Sequence, residues 1–261
     1  MQQQVLSASR SELIEPFTGL SPRTFRRLVV QVERRGGRQV ADRVNGRQWS
    51  LPLADRVLLV ATYYRTNLTM RQLAPLFGVK TAAVHRIIDR LGPLLALAPA
   101  RRKYGPDTVL IVDGTLVPTR DHSIAASSKN YRTSVNMQVM INAETRLVVA
   151  VGQPQPGNRN DCTAWTDSKI NRAAAGATVL ADGGYQGTGL LMPHRRKAGQ
   201  RELPPWKERH NTDHRRVRAR VEHTFAAMKT WKILRDCRRR GRGVYWATTG
   251  VAHLRNLALT G

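Results

Sequence analysis

The sequence predicts a mixed α/β domain with helices on the faces of its sheet, preceded by a small all-α domain. Short apolar runs at 109–112 and 178–181 are typical of buried strands. A polar turn joins the apolar runs 135–141 and 147–151, which predicts a β-hairpin. Between about 55 and 91, apolar residues instead recur at helical spacing. The change from helical to strand spacing therefore separates two domains of different class.

The front domain, residues 1–100, is predicted to contain a helix-turn-helix between about 55 and 91. Thr69 and Thr81 are expected to cap two short helices, and Gly78 breaks the chain between them. The second helix would then enter the major groove of DNA. The alternative is an ordinary helical hairpin without a DNA-binding role. The candidate DNA-binding side chains are Lys80, Thr81, His85, Arg86 and Arg90.

The second domain, residues 101–261, follows a stretch rich in proline and basic residues that is typical of a hinge. After the hairpin, residues 162–175 are predicted to be helical, and Asp161 is expected to cap that helix. The strand at 178–181 comes next, and a long basic segment leads to a helix at 215–231. This order favours a mixed sheet covered by helices.

The charge of the chain indicates a polyanionic partner. Lys and Arg number 43 against 18 Asp and Glu, which gives a formal net charge of +25. Such an excess favours phosphate backbones through counterion release; an anionic membrane surface and simple solubility are the alternatives. With 41% hydrophobic residues, the chain is expected to fold around a real core.

A reducing cytoplasm is the expected compartment, with association to the nucleoid and none to a membrane. Cys162 and Cys237 have no metal-ligand spacing, so neither a disulfide framework nor a zinc site is predicted. Residues 1–17 lack the basic and apolar regions of a signal peptide. No apolar run approaches the roughly 18 residues that would cross a bilayer.

Three acidic residues stand in settings that suggest a metal site. Asp113 and Asp182 each end a strand-like run and are followed by glycine, which lets backbone approach a ligand closely. Glu222 is predicted at the margin of the buried face of its helix. Two strand-end aspartates and a glutamate make an all-oxygen site for hard cations, which points to metal-dependent phosphoryl transfer on nucleic acid. Alternatively, Arg218 and Glu222 form only a surface ion pair.

Three motifs give the chain a resemblance to a known family. They are VDGT at Asp113, LADGGYQG at Asp182, and RARVEHTFAAMK from Arg218 to Lys229. Residues 50–255 resemble a DDE superfamily transposase of bacterial insertion sequences. Related transposases carry a tyrosine, arginine, glutamate and lysine separated by two, three and six residues. Arg218, Glu222 and Lys229 match that spacing, while Arg215 stands where tyrosine is expected.

The resemblance implies a ribonuclease H-like catalytic domain in which Asp113, Asp182 and Glu222 bind two Mg²⁺ or Mn²⁺ ions. It also implies that Arg218 and Lys229 hold phosphates beside the metals. The partners would be double-stranded DNA, at the element ends and at the target, and further copies of the chain assembled on that DNA.

Two alternatives to a transposase stay open at this stage. One is a metal-dependent endonuclease of the same fold that cuts without strand transfer. The other is a DNA-binding regulator whose catalytic half is vestigial. Three further polar residues, His122, Asn136 and Tyr185, could act as general bases, but a structural role is the preferred prediction for each.

Overall fold

The computed structural model describes residues 4–41, 49–98, 104–105, 107–128 and 132–261. They divide into two compact units. The first, called here the helical unit, comprises Met1–Ala98 and Met228–Gly261. The second, the sheet unit, comprises Pro99–Ala227. The mixed α/β class predicted from the sequence is confirmed.

The helical unit contains seven of the described α-helices. Its core is built from their apolar faces, and the long helix at 53–66 is buried along most of its length. The helices are α1 (Ile14–Thr18), α2 (Pro22–Arg34), α3 (Gly37–Ala41), α4 (Leu53–Thr66), α5 (Met70–Leu76), α6 (Thr81–Leu91) and α9 (Gly243–Thr260). Short 3₁₀ turns span Ser11–Leu13, Gly92–Leu95 and Lys232–Leu234.

The predicted helix-turn-helix is formed by α5 and α6. Thr69 caps α5 through a reciprocal capping box with Gln72, and the helix ends one residue beyond Pro75. Gly78 turns the chain with a φ of +62°. The prediction that Thr81 caps α6 is wrong. Lys80 occupies the cap position in an extended conformation and makes no side-chain cap, so Thr81 is already the first helical residue.

The C-terminal residues pack with the N-terminal helices, whereas the sequence groups them with the second domain. On α9, the backbone oxygen of Thr249 accepts a hydrogen bond of 3.0 Å from the amide of Leu97. The Nδ1 atom of His253 lies 2.9 Å from the backbone oxygen of Leu95. Trp231 donates from its indole to the backbone oxygen of Thr18 at 3.1 Å. These contacts join segments that lie far apart in sequence, so no local pattern predicts them.

The described strands of the sheet unit form one six-stranded sheet. The longest two, β1 and β3, pair antiparallel along their whole length, while the sixth strand runs parallel to β1. The strands are β1 (Val109–Pro118), β2 (Ala126–Ser127), β3 (Thr133–Asn142), β4 (Val148–Val151), β5 (Gln155–Pro156) and β6 (Thr178–Leu180). Two helices complete the unit, α7 (Asp161–Asp167) and α8 (Pro205–Met228).

Strand β1 continues five residues beyond Asp113, so this aspartate lies inside the strand and not at its end. Asp113 pairs with Val139 of β3. The following Gly114 leaves room for side chains that approach β1, because a Cβ there would lie 2.5 Å from a carboxylate oxygen of Asp161 and 2.7 Å from the amide nitrogen of Gln138. The glycine marks a close approach within the strand, not a break.

The other elements of the sheet unit follow the predicted order with shifted ends. The hairpin of β3 and β4 is confirmed, and the side chain of Asn142 accepts the amides of its turn. Helix α7 ends at Asp167 because Lys169 adopts a left-handed conformation with a φ of +62°. Helix α8 begins ten residues earlier than predicted and ends at Met228. Lys229 therefore lies outside the helix.

The core of the sheet unit lies between the sheet and α7. It includes Leu110, Val112, Met140, Trp165, Ile170, Val179, Ala181 and Tyr185. In the described part of the chain, no helix combines the length and the apolar character needed to span a membrane.

Candidate active site

Asp113 is a half-buried carboxylate in the middle of β1. One oxygen accepts a hydrogen bond from the backbone amide of Gly114 at 2.8 Å. The other accepts one from Nη1 of Arg218 on α8 at 2.9 Å. The Asp113 side chain is 16% exposed, so its charge is poorly hydrated. The guanidinium of Arg218 is the positive group that compensates it.

Burial raises the pKa of Asp113 to about 6. The guanidinium of Arg218 opposes this shift, whereas the carboxylates of Asp182 and Asp161 add to it. These like-charge effects mean that three aspartates face one small region of the sheet unit. A carboxyl group whose pKa is raised by burial and by neighbouring charges is typical of a functional site.

Asp182 lies beside Asp113 because their strands are adjacent and parallel. Ile111 of β1 is aligned with Leu180 of β6, and each aspartate comes two residues further along its strand direction. One oxygen of Asp182 accepts the backbone amide of Gly184 at 2.7 Å. The parallel strands β1 and β6 thus direct both aspartates toward the same edge of the sheet.

Glu222 reaches the aspartates through Arg218. On α8, Nη2 of Arg218 lies 2.5 Å from Oε1 of Glu222, four residues further along. The same guanidinium binds Asp113, so one arginine joins both carboxylates. The side chain of Glu222 is 56% exposed, which leaves its second oxygen open to solvent.

The chemistry of these side chains fits a hard divalent cation. Asp113, Asp182 and Glu222 offer only carboxylate oxygens, which are the donors that Mg²⁺ and Mn²⁺ prefer. A Cβ at Gly184 would lie 2.9 Å from a carboxylate oxygen of Asp182, so the absent side chain leaves space beside it. Within the described residues, however, no group of three or more His, Cys, Asp or Glu side chains is arranged to hold a metal ion. The guanidinium of Arg218 lies between Asp113 and Glu222 instead.

A fourth carboxylate, Asp161, joins this region although the sequence predicts only a helix cap for it. The cap of α7 is Asn160, whose side chain accepts the amide of Thr163 at 3.1 Å. Asp161 is the first residue of the helix, and its carboxylate accepts hydrogen bonds from Asn136 and Gln138. The prediction of Asp161 as the cap is therefore wrong.

The sequence contains a signal that would have drawn attention to this region. Asn136 and Gln138 are two residues apart on β3, so both project from the same face of an otherwise apolar strand. Buried amides require hydrogen-bond partners, and their partners here are an aspartate and a tyrosine. His122, by contrast, is exposed in a turn.

Comparison with known protein families identifies the family of the chain. Residues 104–257 match the family described as the transposase DDE domain. Residues 49–100 match the helix-turn-helix of DDE superfamily endonucleases. The chain belongs to the DDE superfamily of transposases. The fold that this domain implies is ribonuclease H-like, as the resemblance predicts, and the helix-turn-helix is confirmed.

Two relatives are assigned as transposases of insertion sequence elements. The one for element IS112 of Streptomyces albus G is 63% identical over 98% of this chain and 99% of its own length. The one for element IS702 of Microchaete diplosiphon is 23% identical over 84% of this chain and 83% of its own length. No solved structure matches the chain significantly.

The candidate DNA-binding residues of this transposase lie along the exposed side of α6. Lys80, Thr81, His85 and Arg86 are exposed, and Arg90 is half-buried. The ring of His85 pairs with Asp89 at 2.8 Å. The guanidinium carbons of Arg86 and Arg90 lie 5.6 and 5.7 Å from the centre of the Trp49 ring. These cation–π contacts limit where the two arginines can reach.

Lys229 does not occupy the position that the sequence predicts for it. Helical spacing places it two turns beyond Glu222 on the same stripe. Because α8 ends at Met228, Lys229 lies in the following turn, and the helical geometry no longer applies to it. Burial lowers the pKa of Lys229, with a smaller contribution from the charge of Arg235.

Proposed function

We propose that this transposase cleaves DNA at the ends of its insertion sequence and joins those ends to target DNA. In this proposal Asp113, Asp182 and Glu222 hold two divalent cations, Mg²⁺ or Mn²⁺. The observation that carries it is the position of Asp113 on β1 and of Asp182 two residues beyond the parallel strand β6, together with the raised pKa of Asp113, which burial and neighbouring carboxylates cause. Such a site favours a bound cation over unpaired negative charge.

The bound cations would activate the attacking hydroxyl and stabilise the leaving 3′-oxygen. The protein contributes position and charge. Asp113 is fixed by its strand, and Asp182 is fixed by the amide of Gly184. The Arg218 guanidinium offers a fork of donors that matches phosphate as well as carboxylate. With cations held by the carboxylates, Arg218 would be available to a DNA phosphate, and Lys229 is a further candidate for such a contact.

The test of this function separates it from its two alternatives. DNA flanking the gene supplies the inverted repeats, from which end duplexes are made and incubated with supercoiled target plasmid and Mg²⁺. We expect cleavage at the repeat and covalent joining to the plasmid. Cleavage without joining would identify an endonuclease. Sequence-specific binding without cleavage would identify a regulator.

Arg218 provides a prediction about charge in the site. Replacing Arg218 by alanine removes the positive group between Asp113 and Glu222, so Mn²⁺ binding should tighten several-fold while DNA cleavage falls about tenfold or more. Mn²⁺ affinity is measured by electron paramagnetic resonance in the absence of DNA. Arg218→Lys should restore Mn²⁺ binding toward the wild-type value because it retains the charge.

The matched control is Arg216→Ala, which removes an exposed arginine two residues away on the same helix. It should change neither Mn²⁺ affinity nor cleavage. If Arg218→Ala behaves like this control in both measurements, the Arg218–Glu222 contact is only a surface ion pair, and its value would be a few tenths of a kcal/mol.

Arg86 provides a prediction about sequence recognition. The full chain is required, because residues 228–261 form part of the helical unit. In an Asp182→Asn background that prevents cleavage, Arg86→Ala should lose about 1–3 kcal/mol of preference for end duplex over random duplex. Arg27→Ala, which removes an exposed arginine from α2, should leave this preference unchanged. Equal losses of binding to both duplexes in the Arg86 variant would assign it to phosphate contact.

A further inference from the structure

A buried polar chain connects β3 to the carboxylate of Asp161. Asn136 and Gln138 each donate a side-chain hydrogen bond of 3.0 Å to the same oxygen, Oδ1 of Asp161. Gln138 is fully buried and Asn136 is 6% exposed. Two amide donors on one oxygen satisfy that oxygen and hold the carboxylate in place. They also fix its orientation, because both donors come from the rigid centre of the sheet.

The orientation of Gln138 is determined by a tyrosine on its other side. The hydroxyl of Tyr185 donates to Oε1 of Gln138 at 2.5 Å, and both side chains are fully buried. The reverse orientation of the amide would place its oxygen against the carboxylate of Asp161, which is repulsive. Tyr185, three residues after Asp182, therefore acts on Asp161 through Gln138.

The second oxygen of Asp161 faces the space beside Asp182. A Cβ built on Gly184 would lie 3.4 Å from Oδ2 of Asp161 and 2.9 Å from Oδ1 of Asp182. The two carboxylates thus border one volume, which is open because residue 184 has no side chain.

A purely structural role does not account for Asp161. The helix that it begins is already capped by Asn160. The donors of Asn136 and Gln138 could be satisfied by a neutral acceptor, which would avoid placing a third negative charge beside Asp113 and Asp182. The arrangement instead holds one oxygen of the carboxylate with two donors and directs the other at the space beside Asp182.

We propose that Asp161 is a further cation-binding carboxylate of the site formed by Asp113 and Asp182, and that Gln138 and Tyr185 are positioning residues for it. This inference rests on the proposed function, since it concerns the same cations. It assigns a ligand beyond the predicted three acidic residues. It also explains why two amides and a phenol are buried in the centre of the sheet.

The experiment measures Mn²⁺ binding to the full-length protein without DNA, by electron paramagnetic resonance, alongside DNA cleavage. Asp161→Asn should weaken Mn²⁺ binding about tenfold or more and reduce cleavage. Asp167→Asn removes the same charge from the exposed last residue of the same helix, and it should change neither quantity. Asp161→Glu should restore part of the Mn²⁺ affinity, because it returns a carboxylate to the site.

Tyr185→Phe tests the positioning role and serves if Asp161→Asn does not fold. It removes one hydroxyl and keeps the buried ring, so Gln138 loses the partner that orients it. We expect Mn²⁺ affinity to fall several-fold at temperatures well below unfolding, where a merely structural change leaves binding unaltered. Unchanged Mn²⁺ affinity and cleavage in this variant would overturn the positioning role.

The outcomes separate this inference from the function on which it rests. If Asp182→Asn abolishes Mn²⁺ binding and cleavage while Asp161→Asn retains both at wild-type levels, the metal site stands and Asp161 is not part of it. If Asp182→Asn also retains both, the proposed metal site is itself wrong. Loss of binding in both variants, with Asp167→Asn normal, supports the inference.

Discussion

Replacing Asp113, Asp182 or Glu222 by alanine is expected to abolish DNA cleavage in Mg²⁺, with the rate falling by roughly three orders of magnitude or more. Each carboxylate supplies oxygen ligands that a methyl group cannot replace. The double variant Asp113→Ala with Glu222→Ala should be no slower than either single variant, because residues that act as one unit are not additive.

The measurement is cleavage of end duplex under single-turnover conditions, with binding to the same duplex measured in parallel. Binding should stay near the wild-type level in each variant, since the helix-turn-helix lies in the helical unit and the aspartates in the sheet unit. Asp213→Ala is the control, because it removes an exposed carboxylate from α8. Cleavage retained by Asp182→Ala would exclude Asp182 from the site.

Of the three acidic residues, Glu222 is the one whose predicted role an experiment can most easily contradict. Asp113 lies within β1, and Asp182 lies two residues beyond β6, the strand that runs parallel to β1. Glu222 instead lies on the surface of α8 and contacts Asp113 only through the guanidinium of Arg218. Normal cleavage by Glu222→Ala, with both aspartate variants inactive, would reduce Glu222 to a partner of Arg218.

The sequence predicts the aspartate pair because local patterns determine it. Each aspartate follows an apolar run of strand length and precedes a glycine, although β1 continues past Asp113 and β6 ends two residues before Asp182. Parallel pairing of those strands then brings the two side chains together. Local patterns also predict the helix-turn-helix, since Thr69, Gly78 and the apolar stripe of α6 all belong to one short segment of the chain.

The features that the sequence does not predict depend on contacts between distant segments. Asp161 resembles a helix cap when it is seen only with its neighbours, and its role becomes visible when β3 places two amides against it. The need for glycine at position 114 has the same origin, because a Cβ there would lie 2.5 Å from the side chain of Asp161, far along the chain. Two polar residues at alternate positions of a buried strand indicate, within the sequence itself, that such a contact exists.

Helical periodicity places residues on one face only as far as the helix continues, and α8 ends before Lys229. The spacing of Glu222 and Lys229 places them on one stripe only while the helix continues. The helix ends at Met228, and the turn that follows leads to the buried Trp231. Helix ends are the least predictable part of an element, because capping and tertiary contacts determine them.

Asp113→Asn is expected to stabilise the protein at neutral pH. In the folded protein, burial raises the pKa of Asp113 to about 6, whereas in the unfolded chain it returns to about 3.9. A difference of about two pKa units corresponds to roughly 3 kcal/mol, which is the cost of holding this carboxylate ionised in the folded state. Asparagine avoids that cost and can still accept a hydrogen bond from Arg218, so we expect a gain of about 1–3 kcal/mol at pH 7 to 8.

The gain in the free energy of unfolding should change with pH, unlike the effect of a simple loss of a structural contact, because it depends on the protonation of Asp113. Between about pH 4 and 6 the folded wild type binds more protons than the unfolded chain, so its stability falls as the pH rises through this range. The Asp113→Asn variant lacks that fall, and the two proteins should converge in stability below about pH 4. Urea unfolding in the presence of EDTA, at intervals from pH 4 to 8, measures the difference, with Asp167→Asn as the control for loss of an exposed charge. A destabilisation of the same size at every pH would instead identify Asp113 as a structural partner of Arg218, and the strain expected of a cation site would be absent.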